Sequence, residues 1–211
     1  MMVSRNIFRG QVYQDMGAPT RPIEHPEDAV LVRKAQQGDM DAFESLVRRY
    51  QQRVYALCRR LTGAHQSADD LAQETFIKAY FALDRFDPQW PLYPWLRKIA
   101  VNSGLNYLKA RSRERPLDDG SLGDRRTPPA ARDDDPGERL EQAEFQARFD
   151  RAVESLPADQ KSVLVLRVHE SLSYGEISRT LGLPLGTVMS RLNRARQKLK
   201  ELMADAPGRG A

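Results

Sequence analysis

Residues 173–196 read SYGEISRTLGLPLGTVMSRLNRAR, and this stretch determines the fold of the C-terminal part of the chain. Ser173 and Glu176 have the spacing of a capping box, which predicts that a helix begins there. Gly182 is placed to end that short helix, and the Leu-Pro pair that follows predicts a turn. A longer basic helix is predicted from Thr187 onward. Two helices joined by a tight turn, the second of them basic, predict a helix-turn-helix.

The longer helix carries its apolar and polar side chains on opposite sides. The predicted buried residues are Val188, Leu192, Ala195, Leu199 and Leu202. The predicted outward residues are Met189, Ser190, Asn193, Arg194, Gln197 and Lys198, with Arg191 and Arg196 at the flanks. Such a helix lies in the major groove of DNA, where asparagine pairs with adenine and arginine with guanine. A helical hairpin with a charged surface is the alternative, but the cap, the glycine stop and the basic face together favour DNA binding.

Helical periodicity also governs the rest of the chain. Apolar residues at spacings of three and four from Phe43 to Leu61 predict a long amphipathic helix, which Gly63 ends. Further helices are predicted over about residues 67–83, 95–110, 140–155 and 157–168. No segment alternates apolar and polar residues with period two over a useful length. The predicted fold class is therefore all-α.

The predicted helices fall into two small domains joined by a flexible acidic linker. The predicted division is a flexible N-terminal tail at 1–26, a first helical domain at 27–115, the linker at 116–139, the helix-turn-helix domain at 140–203 and a tail at 204–211. The linker is rich in Asp, Pro, Gly and Arg, so it buries too little apolar surface to offset its ordering entropy.

Charge is distributed in blocks along the chain. Residues 93–115 hold six Lys and Arg against one acid, and residues 184–211 hold six against two. Between them, residues 116–145 hold nine acids against four arginines. Two basic patches separated by an acidic spacer suggest two DNA contacts on one chain. On charge alone, it is equally consistent that each basic patch is simply a solvated helix face.

Several functional classes are disfavoured by the sequence. No run of about 18 apolar residues occurs, so direct membrane insertion is not expected, and residues 1–25 do not resemble a secretory signal. The single cysteine, Cys58, fits a reducing cytoplasm and lies on an apolar stripe, so it is predicted to be core. The three histidines have no metal-ligand spacing, and no P-loop or nucleophile-elbow motif occurs. We expect no enzymatic activity, metal or cofactor, and the His169-Glu170 pair is predicted to have a capping or surface role.

Several motifs make the family resemblance specific. Residues 156–160 (LPADQ), 172–178 (LSYGEIS) and 185–196 (LGTVMSRLNRAR) resemble region 4 of extracytoplasmic-function sigma factors, the group IV class of the sigma-70 family. Two-component regulators use a similar helix-turn-helix, so this match alone is ambiguous. Residues 69–80 (DDLAQETFIKAY) resemble the family's region 2.2, and residues 95–108 (WLRKIAVNSGLNYL) resemble its regions 2.3 and 2.4. The resemblance covers about residues 27–115 and 140–203, without the tail and the linker.

The resemblance implies a factor that directs core RNA polymerase to promoters and opens the DNA to initiate transcription of a stress or envelope regulon. It implies that Asp70, Gln73 and Glu74 dock on the clamp of the polymerase's largest subunit, with the flap as a further contact. It implies that a −10 pocket for a flipped base is formed by Lys78, Ala82, Phe86 and Asn102, with Asn106 nearby, and that Arg97, Lys98 and Lys109 follow the phosphates. It implies that Ser190, Asn193 and Arg194 read −35 bases while Thr187, Arg191 and Arg196 contact the backbone. A solvated helix face is the alternative for the acidic set, and a core position is the alternative for Phe86.

Two positions depart from the family pattern. Trp90 stands in the −10 specificity loop, where many members have small polar residues; it either stacks on an exposed base or closes the loop against the core. Met189 replaces an arginine found in several relatives, which suggests that one −35 contact is lost or becomes an apolar contact to thymine. Family members are often held by an anti-sigma factor, which is an expected partner here. A stand-alone regulator is the competing hypothesis, but it leaves the motifs at 69–80 and 95–108 unexplained.

Overall fold

The computed structural model describes residues 27–114 and 136–204, and these residues form eight α-helices with no strand among them. The helices are α1 (Asp28–Gln36), α2 (Met40–Thr62), α3 (His65–Ala82), α4 (Leu92–Glu114), α5 (Pro136–Glu154), α6 (Ala158–Val168), α7 (Tyr174–Leu181) and α8 (Leu185–Ala204), with a 3₁₀ turn at Leu83–Arg85. The all-α prediction is confirmed. The predicted N-terminal tail and most of the predicted linker and C-terminal tail lie outside the described residues.

The long helix α2 is delimited by local signals at both ends. The side chain of Asp39 accepts a hydrogen bond from the backbone N–H of Ala42 at 3.0 Å, which caps the first turn. Gly63 closes the other end with a φ of 81°, a left-handed conformation that glycine adopts without steric cost. The stop at Gly63 is confirmed, and the helix begins at Met40, three residues before Phe43, where the predicted apolar period starts.

Prolines account for the other differences at helix starts. Helix α4 begins at Leu92 instead of near Trp95, because Pro94 lies in the first turn, where a missing N–H costs no hydrogen bond. Helix α8 begins at Leu185 instead of Thr187, and the carbonyl of Pro184 accepts hydrogen bonds from the first turn. In α4 the first turn even holds buried residues, Leu92 and Tyr93, but the prolines around them predicted a loop.

The helix-turn-helix forms as the sequence predicts. The hydroxyl of Ser173 accepts a hydrogen bond from the N–H of Glu176 at 3.2 Å, and the Glu176 carboxylate accepts from the N–H of Ser173 at 2.8 Å. Gly182 ends α7 with a φ of 63°. The N–H of Leu183 then donates to the carbonyl of Ser178, which closes the turn before α8.

The two helical units are not separate in this structure. Helices α6 and α7 pack on α4, and α6 also packs on α2. One apolar cluster therefore joins Leu57 and Val101 of the first unit to Leu166, Ile177 and Leu192 of the second. A smaller cluster, which includes Leu156 and Leu199, lies within the second unit. The sequence predicted a tether between two domains but did not predict this contact.

The glycine at the turn of the helix-turn-helix provides a direct test of its backbone geometry. We expect Gly182→Ala to lower the free energy of unfolding by about 1 kcal/mol, because a left-handed conformation strains a residue with a Cβ. A Cβ at Gly182 meets no atom within 4 Å, so backbone strain is the cause to be measured. Gly186→Ala is the control: this residue is helical and equally uncrowded, so the change should be neutral or stabilising. Equal losses in urea unfolding would contradict the prediction.

Candidate nucleic-acid interface

Helix α8 presents a basic face to solvent. Its apolar residues Val188, Leu192 and Ala195 are buried against the helices beneath, as predicted. The opposite face is exposed and holds Met189, Ser190, Asn193, Arg194, Arg196, Gln197 and Lys198. The predicted arrangement of this helix is therefore confirmed, with amide, hydroxyl and guanidinium groups accessible along one side.

Two of the predicted −35 residues are half-buried. The Nε of Arg191 lies 3.2 Å from a carboxylate oxygen of Asp159 in the first turn of α6. The carbonyl of Thr187 accepts a hydrogen bond from the hydroxyl of Ser190 at 3.0 Å. The Arg191–Asp159 pair joins the first half of α8 to α6, whereas the Ser190–Thr187 hydrogen bond lies within α8 itself.

Helix α3 has an exposed face with an acidic and an apolar half. Asp70, Gln73 and Glu74 are exposed, and Glu74 forms an ion pair with Lys78 at 2.5 Å. One turn further along, Ile77 and Phe81 are exposed by 57% and 80%. Sequence reasoning missed these two residues, although positions 70, 74, 77 and 81 have the spacing of one helical stripe.

The ring contacts beside this stripe continue the apolar half. Apolar spacing predicts that Tyr80 shares the buried face of α3 with Phe76 and Ala79. Its ring is instead 39% exposed and lies 5.7 Å from that of Phe81. It also lies 5.1 Å from the ring of Phe43 on α2. The predicted position of Tyr80 is wrong in this respect, because the aromatic contacts hold the ring at the rim of the unit.

The predicted −10 residues lie on α3, α4 and the loop between them, with very different exposures. Asn106 and Lys109 are exposed, whereas Ala82, Trp90, Lys98 and Asn102 are half-buried. The ammonium group of Lys78 donates to the hydroxyl of Ser103 at 2.7 Å and so connects α3 to α4. Trp90 packs against the core, which is one of the two placements the sequence left open.

Phe86 and Arg97 lie inside the protein. Phe86 is 2% exposed and its ring centroid is 4.8 Å from that of Trp95, so it offers no face to a base here; the core alternative describes its position. The Arg97 side chain is 8% exposed and its Nη1 lies 3.6 Å from a carboxylate oxygen of Glu170. In this arrangement Arg97 does not reach the surface where a phosphate would pass.

The Glu170 carboxylate also accepts hydrogen bonds from a second residue of α4, Tyr93. The hydroxyl of Tyr93 donates to both carboxylate oxygens of Glu170, at 3.0 and 2.9 Å. The guanidinium of Arg53 lies 3.6 Å above the Tyr93 ring. The predicted capping or surface role of Glu170 is wrong, since its side chain is 8% exposed and pairs across the two units.

The comparisons with known proteins agree on one family. A model of sigma-70 region 2 matches residues 46–114, and a model of sigma-70 region 4 matches residues 146–199. The ECF RNA polymerase sigma-E factor of Escherichia coli K12 is 39% identical over 188 residues, which span 83% of this chain and 94% of the relative. The chain belongs to the extracytoplasmic-function sigma factors. The RNA polymerase sigma-H factor of Pseudomonas aeruginosa is 38% identical over 84% of this chain and 94% of its own length.

Solved sigma factors have the same fold. CnrH in complex with the cytosolic domain of CnrY matches with a TM-score of 0.57 and 29% identity, over 85% of this chain and 99% of that one. RpoE of Bartonella quintana in complex with the anti-sigma factor NepR matches with a TM-score of 0.57 and 27% identity, over 77% and 97%. The unit from 27 to 114 is called region 2 below, and the unit from 136 to 204 region 4.

Neither a membrane span nor a metal cluster occurs in the described parts of this sigma factor. No helix within residues 27–114 and 136–204 is long and apolar enough to cross a membrane. In the same ranges, no three His, Cys, Asp or Glu side chains converge as metal ligands would.

Burial affects the charged groups between region 2 and region 4. Burial lowers the pKa of Arg97, and the adjacent Glu170 carboxylate opposes that change. Burial raises the pKa of Tyr93, and Glu170 raises it further. A buried ion pair loses the hydration of both groups, so its net contribution to stability is small while it is intact. Removing one partner leaves the other charge buried and uncompensated.

A cavity of about 330 Å³ lies between region 2 and region 4. Lys109 of region 2 and Arg191 of region 4 both line it, together with Asp159. Both cations are predicted phosphate contacts, one for the −10 element and one for the −35 element. The helices that form the walls of this cavity are packed on each other.

Lys161 is a further buried charge at this junction. It is 3% exposed, and burial lowers the pKa of its ammonium group from 10.5 to about 8. Glu154 raises this pKa, whereas Arg111 and Arg59 of region 2 lower it. The unfolded chain therefore binds more protons than the folded chain between about pH 8 and 10.5, so this group's contribution to stability rises with pH across that window.

Replacing this lysine by an apolar residue of similar length tests the cost of the buried charge. We expect Lys161→Met to raise the free energy of unfolding at pH 7 by about 2 kcal/mol, and the difference from wild type to shrink as the pH rises from 8 to 10.5. Urea unfolding across this range measures both effects. Lys200→Met, at an exposed position, should change stability little at any pH. A constant difference between wild type and Lys161→Met would contradict the prediction.

Proposed function

We propose that this sigma factor binds core RNA polymerase through α3, opens the −10 element on α3 and α4, and reads the −35 element with α8. The observation that carries the proposal is the presence in one chain of two different exposed faces, an acidic and apolar one on α3 and a basic one on α8. A protein that only bound an operator would need the second face but not the first.

The α3 face suits a protein partner better than DNA. Asp70 and Glu74 are acidic and exposed, and DNA would repel them, whereas a basic surface of the polymerase clamp would attract them. Ile77 and Phe81 follow on the same stripe, and large exposed apolar side chains in one patch mark protein interfaces. Together they provide an apolar anchor with a charged margin, which is the usual composition of such interfaces.

The α8 face suits duplex DNA. Arg194 and Asn193 are exposed side by side and have the donors that pair bidentately with guanine and adenine in the major groove. Arg196 is exposed at the flank, where it would contact a phosphate. Met189 is 51% exposed in the first half of the helix and supplies an apolar contact for a thymine methyl.

The α3–α4 surface suits an opened strand. Asn102 is half-buried on α4 and Asn106 and Lys109 are exposed further along it, while Lys78 is held near them by Ser103. Amide and ammonium donors at the edge of an aromatic core can bind the edge of an unstacked base and the adjoining phosphates. Full access to this surface requires that region 4 leave α4, since it covers Arg97.

The partners and setting follow from this activity. An anti-sigma factor is a proposed partner, and the solved relatives CnrH and RpoE are each complexed with another protein, which for RpoE is named as an anti-sigma factor. The site of action is the cytoplasm, where polymerase and promoter are found, and the regulon concerns stress or the cell envelope. The protein itself catalyses no reaction; polymerase does the chemistry.

Mixing the purified protein with bacterial core RNA polymerase tests the proposal. We expect co-elution on gel filtration, followed by selective initiation from a promoter library with enriched −10 and −35 sequences. Tight duplex binding by the protein alone, without any association with core, would overturn the proposal in favour of a stand-alone regulator.

The acidic half of α3 is tested by charge removal at a single position. We expect Asp70→Asn to weaken binding to core polymerase about fivefold, because an exposed interface charge contributes on the order of 1 kcal/mol. Asp69→Asn is the matched control: it removes the same charge one residue earlier, about 100° around the helix. Titration of fluorescent core measures both affinities, and equal losses would contradict docking through this stripe.

The base-reading role of α8 is tested at its exposed arginine. We expect Arg194→Ala to weaken binding to the selected −35 duplex by 1–3 kcal/mol and to relax sequence preference at about one base pair. Lys200→Ala removes an exposed charge near the end of the same helix and should reduce affinity without changing preference. Competition binding against single-base variants measures preference. An unchanged preference profile in Arg194→Ala would contradict the assignment.

A further inference from the structure

A pocket in region 2 holds a carboxylate that belongs to region 4. Three side chains form it and are called the Arg97 pocket: Arg97, Tyr93 and Arg53. The guanidinium of Arg97 and the hydroxyl of Tyr93 both point at the Glu170 carboxylate, at 3.6 Å and about 3 Å. Arg53 lies over the Tyr93 ring and adds a second positive charge.

The donors of this pocket are suited to any compact oxyanion. Guanidinium groups bind carboxylates and phosphates through the same planar N–H geometry. A phenol hydroxyl beside them supplies one more donor, and the second arginine raises the local potential. The pocket therefore makes no distinction between the side chain of Glu170 and a phosphate of a nucleic-acid backbone, apart from charge and size.

The turn between α6 and α7 holds Glu170 in place. Arg167 donates to the carbonyl of Leu172 at 2.9 Å, and the N–H of Leu172 donates to the carbonyl of Leu166 at 3.1 Å. Ser171 has a φ of 53°, a left-handed conformation that a non-glycine residue seldom adopts. This closed turn directs the preceding side chain toward α4.

We propose that the Arg97 pocket binds a backbone phosphate of the opened −10 strand, and that Glu170 occupies the pocket until DNA or polymerase displaces region 4. The inference rests on the proposed function and adds a regulatory element to it. Glu170 and the phosphate compete for the same nitrogen and oxygen donors, so region 4 docking and −10 binding exclude each other. The free factor is thereby kept from binding single strands until region 4 has been moved to its own promoter element.

The shared core makes the exclusion physical as well as chemical. The Arg97 and Glu170 side chains are each 8% exposed, so a strand has no path to Arg97 while α6 and α7 remain packed on α4. The same packing brings Lys109 and Arg191 to the wall of one cavity. Because a buried ion pair contributes little net stability, the contact is suited to being opened.

Charge removal at Glu170 tests the competition in the full chain. Glu170→Gln should bind a short fluorescent single-stranded oligonucleotide of mixed sequence about fivefold more tightly than wild type, and small-angle scattering should show a larger radius of gyration. Glu144→Gln, at an exposed position of α5, makes the same change in net charge and should alter neither. Arg97→Gln combined with Glu170→Gln should lose the gain in affinity. It should also reduce the slope of log affinity against log salt by about 0.7, which corresponds to one phosphate contact.

The remaining outcomes of these measurements also decide the proposal. Unchanged oligonucleotide affinity in a folded Glu170→Gln protein would overturn it, even if the molecule expands. If Glu170→Gln does not fold by circular dichroism, Glu170→Asp keeps the charge but shortens its reach, and an unchanged affinity in that variant would also overturn the proposal. Neither measurement uses polymerase, so failure of the sigma assignment would be seen separately, as no co-elution with core.

Discussion

A guanidinium group enclosed between helices needs an anion beside it, and Arg97 has one only because region 4 supplies Glu170. This requirement constrains where region 4 packs on region 2. Apolar contacts such as those of Leu166 and Ile177 provide most of the stabilisation between the units, but they are not directional. The hydrogen bonds from the Tyr93 hydroxyl to Glu170 are directional, so they fix where the α6–α7 turn sits on α4, with the Arg97 charge 3.6 Å away.

The contact between the regions is composed so that it can be reversed. Its polar members are costly to bury: burial lowers the pKa of both Arg97 and Lys161, which means that the charged forms are disfavoured there. These costs offset part of the apolar gain. A purely apolar interface of the same extent would hold region 4 more firmly, and the −10 surface of region 2 would then be harder to expose.

Local signals in the sequence are sufficient for the helices and for the outer face of α8. The cap at Ser173, the glycine at 182 and the spacing of Val188, Leu192 and Ala195 each act within a few residues, so a pattern reveals them. The partnership of Tyr93 with Glu170 spans 77 residues, and nothing near either position marks it. Periodicity describes one helix at a time, which is why the sequence predicted a tether and missed the contact.

The position of Arg97 shows how a family motif and a folded structure can assign different places to one residue. Its place in residues 95–108 implies a contact with DNA, whereas the structure encloses it. Both are consistent if the residue serves two arrangements of the chain, because a guanidinium binds a carboxylate and a phosphate through the same N–H groups. A methionine or leucine at position 97 would pack well while region 4 covers α4. It could not bind a phosphate once region 4 has left. The proposed arrangement in which the charge is exposed to DNA would account for the cost of burying it at this position.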